Sequence, residues 1–254
     1  MENIMVKVKL LFIAVVFLLL ISGCAPKYFY HTTHLSSELK ITNEYKSDAQ
    51  IDSLIYPYKA QLDSTMNIVL AVCDTILTKD KPSSNLGNFF CDAIKYIAEK
   101  KTGSSIDLAI VNYGGIRLNM ISAGNITLGK VYELMPFDNQ LVILKIKGDT
   151  LATVLDIIAA QGGWPVSGVN FTIKKNSAVN IFINNKTFDI TQTYTLVVSD
   201  YIANGGDNLN MLKNIPQQKI GFLMRDALVD YLKDMNVQGH KIVANNTQRI
   251  KNVE

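Results

Sequence analysis

Two apolar runs in this sequence each lead into a turn that contains a Gly-Gly pair. The runs are IDLAIVN at 106–112 and YTLVVSDY at 194–201. Short apolar runs rich in β-branched residues predict buried β-strands. Glycine just after a strand permits positive φ and lets a ligand approach the backbone closely. The sequence therefore predicts two strands that each end at an open turn.

Helix and strand patterns alternate along the chain from residue 51 onward. Helices are predicted at 51–62, where apolar residues recur at helical spacing, from Asn85 to about Lys101, at LATVLDIIAA (151–160) and at IGFLMRDALVDYLKDM (220–235). Further strands are predicted at MNIVLAVCDTIL (66–77), QLVILKIK (140–147), VNFTIK (169–174) and VNIFIN (179–184). We expect Asn85 to cap its helix, and Asp149 or Thr150 to cap the next. Strand pairs between helices predict a mixed α+β domain.

The N-terminal residues have the pattern of an export signal. Two lysines precede an apolar run at 10–21, which is short for a membrane span of about 20 residues. The run leads into Ser22-Gly23-Cys24 and resembles a bacterial lipoprotein signal, in which cleavage leaves Cys24 as the lipid-bearing first residue. A transmembrane anchor is the alternative. Either pattern predicts an extracytoplasmic location, and we expect attachment to the outer membrane.

Three segments are expected on this basis: a signal peptide at 1–23, a polar tether at 24–47 and one folded domain at 48–254. A length of 254 residues with 48% hydrophobic content is enough to bury a sizeable core. The formal net charge of +3 is small and its lysines are scattered, which argues against a nucleic-acid partner. Cys73 and Cys91 could form a disulfide outside the cytoplasm or remain buried free thiols.

Six polar or aromatic side chains near the turns have the chemistry of a nucleoside site. The rings could stack on a base, the amides could read its edge, the carboxylate could accept from paired hydroxyls and the guanidinium suits phosphate. These residues are Asn112, Arg117, Phe137, Asn139, Tyr201 and Asp207. Taken one at a time, each is better explained by ordinary turn chemistry, core packing or a surface position.

Four stretches, NLGNFFCDAI, NYGGIR, GNITLGKVYELMPFDNQLVILKIKGDTL and DYIANGGDN, occur in the order and spacing of the 5′-nucleotidase C-terminal domain. The resemblance covers roughly residues 50–250 and implies a layered α/β/β/α domain that recognises the nucleotide. It implies that Phe137 and Tyr201 sandwich the base and that Asn139 meets its edge. It also implies that Asp207 holds the ribose hydroxyls, with Asn112 and Arg117 toward the sugar and phosphate.

The sequence departs from this family at two positions of the expected site. Many relatives carry a phosphate-binding arginine just before the N-x-G-N stretch, where this chain has Pro82-Ser83-Ser84, so Arg117 is expected to be the main cation. Tyr201 stands where phenylalanine is frequent. This change keeps the ring face and adds a hydroxyl.

The resemblance also places hydrolysis in a separate metallophosphoesterase domain, whose Asp, His and Asn ligands hold two metal ions. No D-x-H or G-N-H-[DE] stretch occurs in this sequence, and its histidines are His31, His34 and His240. No cofactor is therefore expected in this chain, and the divalent metals would belong to a separately encoded metallophosphoesterase. Two alternatives are a nucleoside-binding lipoprotein without chemistry and a structural envelope protein that has lost the ligand site.

Overall fold

The computed structural model describes residues 2–21, residue 42 and residues 47–253. Helix α1 (Glu2–Ile21) belongs to a different compact unit from the residues after position 49. Among the residues described, no helix is long and apolar enough to cross a membrane. The expected lipidation site Cys24 and most of the expected tether lie outside the described residues.

Helices and strands alternate through the second unit, as the sequence patterns predict. Its helices are α2 (Ala49–Met66), α3 (Asn85–Thr102), α4 (Leu128–Leu134), α5 (Gly148–Ala160), α6 (Asp200–Ala203) and α7 (Met224–Val237). Its strands are β1 (Val69–Cys73), β2 (Leu77–Thr78), β3 (Leu108–Ile110), β4 (Met120–Ile121), β5 (Gly124–Thr127), β6 (Gln140–Lys147), β7 (Val166–Ser167), β8 (Val169–Lys174), β9 (Ser177–Ile183), β10 (Lys186–Thr187), β11 (Thr193–Ser199), β12 (Gln217–Leu223) and β13 (Ile250–Asn252).

A mixed five-stranded sheet in the order β12-β6-β11-β3-β7 forms the centre of this unit. Strands β11 and β3 are parallel, whereas the other neighbours in the sheet are antiparallel. A second mixed sheet has the order β10-β9-β8-β13, and β1-β5 and β2-β4 form two-stranded sheets. The expected mixed α+β fold is confirmed.

Both faces of the strands β6, β11 and β3 of this sheet are largely buried, which explains why they read as almost continuous apolar runs. Alternate residues of the strands, such as Ala109 and Val197, pack with α3 and α7 in one hydrophobic cluster. Their neighbours Leu108 and Leu196 pack with α5 and the four-stranded sheet in a second cluster. The sheets and helices therefore form successive layers around two cores.

Several element boundaries differ from the sequence predictions. Ser84 caps α3 by accepting from the Gly87 amide, whereas Asn85 instead accepts a hydrogen bond from the Thr78 amide. Helix α5 begins at Gly148, before the expected caps, because the chain passes directly from β6 into the helix. The long strand predicted at 66–77 is split into β1 and β2, and the first residues of the predicted final helix belong to β12.

Helix α2 forms where helical spacing predicts it, but none of its residues is buried. Leu54 and Tyr58, which lie on its apolar stripe, are 69% and 73% exposed. Apolar spacing therefore predicted the helix correctly, although its apolar stripe is exposed.

Candidate functional site

The two Gly-Gly turns lie at the same edge of the five-stranded sheet. Strand β3 leads into the turn at Tyr113–Gly115, and β11 leads through α6 to the turn at Gly206–Asn208. Since β3 and β11 are parallel neighbours, with Leu108 opposite Leu196, their carboxyl ends meet. This pairing brings together two segments that are far apart in the sequence.

Antiparallel pairing brings two further segments to the same edge. Strand β6 is antiparallel to β11, so residues 136–139, which precede β6, lie near the end of β11. Strand β7 is antiparallel to β3, so residues 161–165, which precede β7, lie near the end of β3. Four chain segments therefore converge on one place.

These segments, together with Lys81, line an open cavity of about 650 Å³. All six residues selected from the sequence line it, namely Asn112, Arg117, Phe137, Asn139, Tyr201 and Asp207. The sequence reasoning missed four further side chains in the wall, which are Lys81, Tyr113, Gln161 and Trp164. Rings, amides, a carboxylate and two cations thus face one space of a size suited to a small ligand.

Asp207 is a central acceptor of this cavity. Its Oδ2 atom accepts from Asn112 Nδ2 at 2.7 Å, and its Oδ1 atom accepts from the Tyr201 hydroxyl at 3.0 Å. The Asp207 backbone has φ 51° and ψ 39°, a left-handed conformation that Asp and Asn tolerate better than most residues. The hydrogen bond to Asp207, followed by burial, raises the pKa of Tyr201.

The two candidate stacking rings are accessible to a ligand. Phe137 is 38% exposed and Tyr201 is 46% exposed, although both line the cavity. The guanidinium of Arg117 lies 5.6 Å from the centre of the Phe137 ring, within the range of a cation–π contact. Arg117 therefore contacts the aromatic wall and carries positive charge next to it.

Helix α7 holds the loop that carries Phe137 and Asn139. The backbone amide of Met224 donates to the Asn139 carbonyl at 2.8 Å. Arg225 Nη2 donates to Asp138 Oδ1 at 2.8 Å, and its guanidinium lies 4.3 Å from the centre of the Tyr132 ring. Since Arg225 is only 8% exposed, its position is well constrained and the loop is clamped from one side.

Arg117 is accompanied by two further cations, which the expectation from Pro82 did not include. Lys79 and Lys81 lie 4.2 Å and 4.7 Å from the centre of the Tyr113 ring, and Lys81 lines the cavity. Burial, followed by the charges of Arg117 and Lys81, lowers the pKa of Lys79. Mutually repelling cations of this kind favour an anionic ligand.

Gln161 and Trp164 connect the cavity wall to α5. Trp164 Nε1 donates to Gln161 Oε1 at 3.1 Å, Lys81 Nζ donates to the Gln161 carbonyl, and Gln161 Nε2 lies 3.5 Å from the Asp207 carbonyl. The sequence did contain a signal for this segment, because Gly162-Gly163 is a third Gly-Gly pair. At Gly163, which has φ 98°, a Cβ atom would lie 2.5 Å from the Pro82 carbonyl oxygen.

The described part of the chain contains no group of three or more His, Cys, Asp or Glu side chains that could hold a metal ion. Cys73 and Cys91 are free and buried, and burial raises the pKa of both thiols. The choice between a disulfide and free thiols is thus resolved in favour of free thiols.

Comparison with known proteins agrees with the family resemblance of the sequence motifs. The sequence profile of the family described as "5′-nucleotidase, C-terminal domain" matches residues 65–214. A 5′-nucleotidase of Vibrio vulnificus (strain CMCP6) is 26% identical over 209 residues, which cover 78% of this chain and 36% of the relative. The trifunctional nucleotide phosphoesterase protein YfkN of Bacillus subtilis (strain 168) is 25% identical over 85% of this chain and 16% of its own length.

A solved structure shares the fold. The crystal structure of a 5′-nucleotidase precursor from Thermus thermophilus superposes with a TM-score of 0.71 and 28% identity, over 80% of this chain and 43% of that one. The chain thus spans about a third of the first curated relative and less than half of this solved structure. The profile match and the shared fold establish that the chain belongs to the 5′-nucleotidase C-terminal domain family.

Proposed function

We propose that this chain is the nucleotide- or nucleoside-recognition part of an extracytoplasmic 5′-nucleotidase system. The observation that carries the proposal is the convergence of two rings, two amides, a carboxylate and a guanidinium on one cavity. This set contains a partner for each part of a nucleotide, namely base, sugar and phosphate. We assign residues 48–254 to the recognition domain.

Each part of the ligand has a distinct expected contact. The base stacks on Phe137 and Tyr201, and stacking on an aromatic side chain contributes about 1–3 kcal/mol per base. The Asn139 amide reads the base edge. The ribose hydroxyls donate to Asp207, and Arg117 and Lys81 attract the phosphate.

Hydrolysis is proposed to require a separately encoded metallophosphoesterase. Such a partner supplies the two metal ions that activate water and stabilise phosphoryl transfer. The residues of this chain bind and orient the nucleotide. The Ile21-Ser22-Gly23-Cys24 stretch supports a signal peptide at 1–23, a lipid anchor at Cys24 and a tether at 24–47, with attachment to the outer membrane.

Calorimetry of the purified chain with adenosine, AMP and UDP-glucose tests the proposal. We expect binding of at least one of them, and no phosphate release from AMP when Mn²⁺, Zn²⁺ or Co²⁺ is added to this chain alone. Phosphate release should begin when the partner metallophosphoesterase is added. Binding without hydrolysis in the presence of that hydrolase would support the non-catalytic alternative, and no binding at all would favour a structural role.

A further inference from the structure

The hydroxyl of Tyr201 makes a hydrogen bond that phenylalanine could not make. It donates to Asp207 Oδ1 at 3.0 Å, on the carboxylate that the proposed function assigns to the ribose hydroxyls. We propose that this hydroxyl determines sugar specificity by competing with ribose for Asp207, which reduces the preference for ribosides over 2′-deoxyribosides. The inference rests on the proposed function and adds a role for one atom of the site.

The position of the Tyr201 ring depends on the second Gly-Gly turn. A Cβ atom at Gly206 would lie 2.4 Å from Cε1 of Tyr201, so only glycine leaves room for the ring there. The ring therefore lies against the backbone that immediately precedes Asp207. This close approach brings the hydroxyl within reach of the carboxylate.

The hydrogen bonds of Asp207 show why the hydroxyl competes with a sugar. An ionised carboxylate only accepts hydrogen bonds, and a pair of neighbouring hydroxyls is best held with one hydroxyl on each oxygen. Asn112 already donates to Oδ2 and Tyr201 to Oδ1. The most favourable arrangement for a ribose thus overlaps with a hydrogen bond made within the protein.

Of the two side chains that donate to Asp207, Tyr201 is the one that a ligand can displace. Its side chain is 46% exposed, so its hydroxyl can donate to water after it releases Asp207. Asn112, in contrast, lies in the turn after β3 and is more buried than Tyr201. A riboside therefore exchanges the Tyr201 hydrogen bond for its own, and its net gain over a 2′-deoxyriboside is small.

The test compares the full chain with its Tyr201→Phe variant, which keeps the ring face for base stacking. Dissociation constants are measured by calorimetry for adenosine, uridine and their 2′-deoxy counterparts. We expect the substitution to raise the ratio of deoxyriboside to riboside dissociation constants by about 3- to 10-fold, mainly through tighter riboside binding. An unchanged or lower ratio would overturn the inference.

Two further variants separate competition from indirect effects. Tyr58→Phe removes a hydroxyl from an exposed tyrosine of α2 and should leave the ratio unchanged. In an Asp207→Asn background, Tyr201→Phe should no longer change the ratio, because the carboxylate for which the hydroxyl and the ribose compete is absent. A change that persists in this background would overturn the inference but not the proposed function, whereas failure of the wild-type chain to bind any nucleoside would overturn both.

Discussion

The side-chain amide of Asn112 donates a 2.7 Å hydrogen bond to the carboxylate of Asp207, and so links two turns that lie 95 residues apart in the sequence. The parallel pairing of β3 with β11 makes this link feasible, because it brings both turns to one sheet edge. Hydrogen bonds to an ionised carboxylate are stronger than those between neutral groups. The link therefore holds the acceptor of the proposed sugar site in place before a ligand binds.

Substitution of Asp207 by asparagine should selectively weaken riboside binding. Asparagine tolerates the left-handed backbone of this position, so the fold should be retained. We expect adenosine affinity to fall by up to about 1.5 kcal/mol, less than the full value of a hydrogen bond to a charged group because the ribose displaces the Tyr201 hydroxyl, while adenine affinity is unchanged. Calorimetry with both ligands measures the difference, with Asp52→Asn on α2 as control. Equal losses for adenosine and adenine would contradict a role in sugar binding.

Truncation of the two candidate stacking rings should weaken binding of every nucleoside tested. Phe137→Ala and Tyr201→Ala should each reduce the binding free energy by about 1–3 kcal/mol. Phe182→Ala is a matched control, because Phe182 is 41% exposed, close to the 38% of Phe137, but lies on β9. If both truncations left affinity at the wild-type value, the Gly-Gly turns would be ordinary turns and a structural role would gain support.

Neutralisation of the cations should remove the preference for AMP over adenosine. Lys81→Met and Arg117→Met should each weaken AMP binding more than adenosine binding, since both cations line the cavity. The effect should decrease with added salt, because mobile ions screen exposed charges. Lys186→Met, on the exposed strand β10, is the control. An unchanged AMP-to-adenosine ratio in both variants would argue against a phosphate contact in this cavity.

Loss of Arg225 should reduce both stability and recognition of the base. Arg225→Met removes the hydrogen bond to Asp138 and the contact with Tyr132, so we expect the free energy of unfolding to fall by about 1–3 kcal/mol. Faster hydrogen exchange at residues 136–139 and weaker nucleoside binding should accompany this loss. Arg249→Met, which removes a similarly buried arginine that pairs with Asp92, should lower stability without changing exchange at 136–139. If Arg225→Met and Arg249→Met gave the same hydrogen-exchange profile, Arg225 would not specifically hold the loop at 136–139.

The two described cysteines should resist thiol reagents until the chain unfolds. The thiolate is the reactive form, and burial raises the pKa of Cys73 and Cys91. In a Cys24→Ser background, titration with an aromatic disulfide reagent should detect no reactive thiol in the native chain. It should detect both thiols in denaturant. If no thiol reacted after unfolding, Cys73 and Cys91 would instead be joined by a disulfide.

Local patterns predicted much of the secondary structure correctly. The period-3.6 stripe at 85–101 and the apolar run QLVILKIK correspond closely to α3 and β6. The capping prediction failed where a contact outside the helix engages the side chain. Asn85 is a good helix cap by residue type, yet its side chain accepts from the Thr78 amide, and Ser84 takes the capping position.

The candidate site likewise has a part that the sequence predicted and a part that it did not. The sequence by itself, through its motifs and side-chain chemistry, determined the family and six of the residues that line the cavity. Only the tertiary structure decided that Lys81, Tyr113, Gln161 and Trp164 join them, and that Asp207 is already hydrogen-bonded by Asn112 and Tyr201. The physical reason is that residue type sets what a side chain can donate or accept, whereas pairing between distant strands sets which partner it meets.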